Sequence, residues 1–95
     1  SQSRKYYEKA IELTDSQPED YLNMGHLSLA EGNFKEAMNF YSLNVSARMG
    51  GDGNRRREAI DGFIADMRSD SRYLRRVGVD EELIPLLVDS LLYRI

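Results

Sequence analysis

The sequence contains no cysteine, which excludes disulfides, thiol nucleophiles and thiolate metal sites from these 95 residues. That absence fits a reducing compartment, and the expected location is the cytoplasm. A single histidine without cysteine cannot supply a conventional metal cluster, so no metal and no cofactor is expected. No apolar run approaches the ~18 residues that a membrane helix needs, and no signal-peptide pattern occurs. A net charge of -3 argues against general affinity for nucleic acid. What remains, 41% hydrophobic and 31% charged residues, is the balance of an ordinary water-soluble chain. A chain of 95 residues makes one domain and can bury roughly two-thirds of its unfolded surface. Catalytic chemistry finds little to work with. Asp66 and Asp70 could share a helix face as an acid–base pair, but they read more simply as a solvated position and a helix cap, and no enzyme is expected.

What is there is a repeat. YYEKAIEL, residues 6–13, returns 34 positions later as FYSLNVSA, and between them runs DYLNMGHLSLAEGNFKEAMNFY. This stretch resembles a tetratricopeptide repeat, a unit of two antiparallel helices whose contact points demand particular residue sizes. Tyr21 stands at the family's large aromatic position, Met24 at its Leu and Gly25 at its small position. In the second helix Phe34, Ala37 and Tyr41 take the aromatic, small and aromatic positions, with Tyr41 directed at the following repeat. Ser28 and Asn44 depart from the expected Tyr and Ala. Upstream, Tyr7, Ala10 and Leu13 match only the second helix of a preceding unit, which suggests the C-terminal piece of a longer array.

The resemblance implies an all-α fold, a right-handed stack of antiparallel helical hairpins in an α-α superhelix of about five helices. The expected organisation is a single domain. Residues 4–15 form the second helix of a truncated repeat, 18–49 one complete repeat, and 50–95 a degenerate C-terminal hairpin or cap. In that last region no register reproduces the aromatic, Leu and Gly positions together, although Ala59 could be a small contact residue.

Helix ends can be read from caps. Ser16-Gln17-Pro18 opens one helix, because proline is tolerated in a first turn. Gly32 closes it, and Asn33 caps the next with Glu36 in capping-box position. A further helix is expected from near Asn54, with Ile60, Phe63, Ile64 and Met67 on one buried stripe. Asp70 then caps a short extension that stops at Gly78.

The last segment, VDEELIPLLVDSLLYRI, is apolar nearly all round, with Pro85 near its first turn and only Asp89, Ser90 and Arg94 on its polar strip. It reads first as a cap that closes the solenoid. The sharper alternative is a homodimer contact through Leu87, Leu91 and Ile95, which would make assembly its role.

For function, the resemblance implies a non-enzymatic scaffold that binds another protein or peptide on the concave surface. By register that surface carries Glu19, Leu22, Asn23, His26, Leu29 and Ala30. With Leu22 and His26 on that face, the Lys and Asn clamp by which some relatives hold C-terminal carboxylates is not expected. His26 by itself reads as solvated helix surface. The loop carrying Gly50, Gly51 and Gly53 before Arg55, Arg56 and Arg57 offers a second alternative, an anion or nucleic-acid contact at a helix start. It lacks a Walker Lys and interleaved aromatics, so a solvated loop is the simpler reading. Asn44-Val45-Ser46 spells a glycosylation sequon inside an expected helix and reads as incidental.

Overall fold

A computed structural model describes residues 4, 5, 8, 9 and 17–94. Tyr7, Ala10, Leu13, Asp15, Ser16 and Ile95, on which several expectations rest, lie outside the described residues. All regular structure among the described residues is helical: α1 (Pro18–Ala30), α2 (Phe34–Met49), a 3-10 turn (Gly53–Arg55), α3 (Arg56–Ser69), α4 (Ser71–Arg76) and α5 (Leu83–Arg94). Arg4, Lys5, Glu8 and Lys9 are helical as well.

The ends follow the caps. The Gln17 N–H donates to Asp20 Oδ2 at 3.1 Å, and Pro18 occupies the first turn, where its missing donor costs nothing. Gly32 turns the chain out of α1 with φ +79, a left-handed conformation that a Cβ would oppose. Asn33 then accepts the Glu36 N–H at 3.1 Å and opens α2. Asp52 caps the 3-10 turn by accepting the Asn54 N–H, and α3 starts at Arg56, two residues beyond Asn54. Gly78, at φ +92, ends the short α4 extension as expected. Pro85 is the third residue of α5, early enough to leave the helix unbroken.

α1 and α2 pack as a hairpin, and α2 also supports α3 and α5. Close approach within the hairpin depends on Gly25. A Cβ there would stand 2.6 Å from Cδ1 of Tyr41, far inside van der Waals contact. Tyr41 then meets Phe63 of α3 with ring centroids 5.3 Å apart, which joins the hairpin to the next helix. Around this contact Met24, Met38 and Val45 close the hairpin. Ile60, Phe63, Met67, Leu74, Leu87 and Leu91 carry the core through α3, α4 and α5.

Leu87 and Leu91 are therefore not oligomer contacts. Both are buried within the chain, because α5 turns their line toward α2 and the common core. The apolar residues α5 gives to solvent are Leu86, Leu92 and Tyr93. Arg4 joins its segment to the α1–α2 turn, with Glu31 at 2.8 Å and Glu36 at 2.5 Å. These carboxylates, Glu31 foremost, raise the already high pKa of the guanidinium.

Candidate functional site

Two polar relays, each touching three helices, surround a cleft between α1 and α3. The first begins at Asn44 of α2, whose Nδ2 donates to the Pro18 carbonyl at 2.6 Å while its Oδ1 accepts Arg48 Nε at 2.9 Å. Arg48 continues across to the Asp66 carboxylate of α3. Gly62 provides the room, since a Cβ at that position would come within 2.6 Å of Arg48 Nη1. Ser28, the other departure from the repeat pattern, is equally buried and returns its hydroxyl to the Met24 carbonyl at 2.9 Å. Both polar substitutions in the hairpin core are thus hydrogen-bonded, as burial requires.

The second relay runs through His26. Its Nε2 lies 2.8 Å from Asp70 Oδ2, and its Nδ1 lies 2.8 Å from the Tyr41 hydroxyl. A carboxylate only accepts, so Nε2–H donates to Asp70 and Nδ1 accepts the Tyr41 O–H. Burial lowers the His26 pKa below 6.5, against the opposing pull of Asp70, and the neutral imidazole is the form that satisfies all three groups. Burial also drives the Tyr41 phenol well above its ordinary value of 10.0, with the Asp70 charge adding to it. Asp, His and a hydroxyl in series have the connectivity of a catalytic triad. Here the hydroxyl belongs to a fully buried tyrosine, so no substrate can reach it, and the relay acts as a brace.

His26 is consequently not solvated surface. It is 3% exposed, because the ring fills the space between Tyr41 and Tyr73. Asp70 does not cap α4 with its side chain either; that carboxylate is committed to His26. Asn44, with its amide bonded to Pro18, has no free nitrogen to offer as a glycan acceptor in the folded chain.

Between the relays lies a cleft of about 570 Å³ lined by Gln17, Pro18, Glu19, Leu22 and Asn23, with Arg48, Asp66 and Asp70 opposite. It adjoins a second depression of about 530 Å³ that shares Gln17, Pro18 and Arg48 and extends to Arg55, Glu58 and Gly62. Of the positions expected on the concave surface, Glu19, Leu22 and Asn23 come together here. Leu22 is itself nearly buried and presents only its edge. His26 faces inward, Leu29 packs against the core, and Ala30 is exposed beyond this cleft. Arg55 pairs at 3.5 Å with Glu58 on the solvated surface, while Arg56 and Arg57 line neither depression, so the three arginines do not converge.

Sequence reasoning missed Arg48 and set aside Asp66 and Asp70. One signal was available: a polar Asn44 at a position where the repeat wants alanine, followed by an arginine four residues on, implies a buried partner for both.

The charges of the cleft are unequal. Glu19, Asp66 and Asp70 face one arginine, which already holds Asn44 and Asp66. Neutral His26 does not offset Asp70. Among the described residues no helix is long and apolar enough to cross a membrane, and no group of three or more His, Cys, Asp or Glu could hold a metal ion. No protein-family model, curated protein or solved structure matches this chain.

Proposed function

We propose that this chain is a tetratricopeptide-type binding module whose cleft between α1 and α3 holds an extended segment of another protein. In this reading α1 and α2 form the complete repeat. α3 and α5 form a second, degenerate hairpin, with α4 inserted, in a right-handed stack. The observation that carries the proposal is the convergence of Glu19, Leu22 and Asn23 with Arg48, Asp66 and Asp70 on one preformed concavity.

The walls are braced by hydrogen bonds between helices, so little ordering cost is left for the partner to meet. The carboxylate excess favours a segment that brings a Lys or Arg side chain, with Leu22 and Pro18 offering the apolar contact. A C-terminal carboxylate would meet repulsion in the same place.

The test is a nitrogen-15 chemical-shift titration with short peptides that differ only in a central Lys or Glu. Binding of the Lys peptide should perturb Glu19, Asn23 and Asp66 amides and vanish in Glu19→Lys with Asn23→Ala. Equal perturbation by the Glu peptide, or shifts elsewhere, would reject the reading.

A further inference from the structure

A different face carries a second proposal. Between α3 and α5 lies a depression of about 360 Å³ whose apolar wall is Ile64, Ile84, Pro85 and Val88. It opens onto the outer side of α5, where Leu86 is 58% exposed, Leu92 38% and Tyr93 96%. Leu86 and Tyr93 are seven residues apart and share a line along the helix; Pro85, Val88 and Leu92 make a second line, with Asp89 between the two. Five apolar side chains, with Asp89 among them, thus form a stripe on a helix whose opposite face, Ile84, Leu87 and Leu91, is already buried in the core. A stripe of this kind on a small chain marks an interaction surface.

The rim of the depression indicates what covers it. Arg68 stands on the α3 side, and Glu81 and Asp89 stand on the α5 side. None of these three side chains takes part in a hydrogen bond or ion pair among the described residues. An apolar depression with an unpaired arginine on its α3 edge and unpaired carboxylates on its α5 edge is complementary to itself. A two-fold operation brings the positive edge of one copy to the negative edge of the other.

We infer that two copies of this chain associate through the α3–α5 face. The α5 helices cross antiparallel, Leu86, Leu92 and Tyr93 bury against the other copy, and Arg68 meets Asp89 and Glu81 across the two-fold axis. The cleft between α1 and α3 lies outside this contact, so the dimer presents two binding sites and would gain avidity toward a partner that carries repeated segments.

Sedimentation equilibrium over a wide concentration range tests the assignment on four chains: the native one, Leu86→Glu with Tyr93→Ser, Arg68→Glu, and Arg68→Glu with Asp89→Arg. All four changes fall on solvent-facing or rim positions, and circular dichroism verifies that each variant keeps its helical content. The native chain should dimerise. The first variant should be monomeric throughout, Arg68→Glu should raise the dimer Kd about tenfold or more, and the charge exchange should recover most of that loss. A native chain that stays monomeric at every concentration overturns the inference, including the case in which this face serves a different protein. A dimer indifferent to Leu86→Glu with Tyr93→Ser, or to the charge exchange, overturns it equally.

Discussion

His26 Nε2 and Asp70 Oδ2 stand 2.8 Å apart across a sequence separation of 44 residues, and this bond fastens the end of α3 to the middle of α1. His26 is the only histidine, so its titration can be followed without interference. Its folded pKa lies below 6.5, so between that lowered value and 6.5 the unfolded chain binds a proton that the native chain refuses. Stability should be level in this respect above the unfolded value. It should fall as the pH drops from 6.5 toward the folded value, by at most about 1.4 kcal/mol per pH unit. Urea unfolding from pH 8 to 5 measures the slope. In His26→Gln the part due to imidazole should disappear, while carboxylate effects at lower pH persist.

Gly25→Ala provides a test in which two effects have opposite signs. Helix propensity alone favours alanine by about 1 kcal/mol. The new methyl, however, would press on the Tyr41 ring, which is held by its bond to His26 and by contact with Phe63. Overpacking of this kind costs about 1–3 kcal/mol, so a net lowering of the thermal midpoint is expected. A raised midpoint would mean that the hairpin relaxes more easily than its packing indicates.

Asn44→Ala moves the chain toward the tetratricopeptide pattern and should nonetheless destabilise it. The change removes the donor to the Pro18 carbonyl and the acceptor of Arg48 Nε, both partly buried. A loss of about 1–3 kcal/mol is expected from chemical denaturation, accompanied by greater motion of Arg48 visible in its side-chain Nε resonance.

Leu87→Ala and Leu86→Ala separate the inner from the outer face of α5. The first empties a fully buried site and should cost about 2–5 kcal/mol; the second trims a half-exposed side chain and should leave monomer stability within about 0.5 kcal/mol. Leu91→Glu would bury a carboxylate in the core and should unfold the region, so it reports on packing and gives no information about association.

The helices themselves were legible because their signals are local. Gln17-Pro18, Gly32 with Asn33, and Gly78 each act within a turn, and each acts where the sequence places it. That Gly25 is small for a close helix approach was legible from the tetratricopeptide resemblance; that the ring it admits is Tyr41's was not, since the sequence directs Tyr41 at the following unit. Rotation about a helix axis was harder to read. α5 is apolar on most sides, and its sequence alone does not tell Leu87 from Leu86; only its packing on α2 and the rest of the core decides which line is covered. The polar relays were least visible of all. His26, Tyr41 and Asp70 come from three helices and share no motif, so each looks ordinary until the chain is folded.

Asp66 on α3 and Asp70 at its C-terminal cap lie one turn apart and receive the two relays that start in the first hairpin. Apolar packing alone would tolerate small rotations of α3, because Ile60, Phe63 and Met67 are deformable and have no fixed direction. Two hydrogen-bonded carboxylates at a set separation do not allow that freedom: turning the helix by one residue would break both bonds together. The first hairpin, for its part, leaves His26 and Arg48 each short of a partner until α3 arrives. The α1–α2 hairpin and α3 therefore reach their final arrangement as one cooperative unit, and an excised α1–α2 pair would be a poor substitute for the whole.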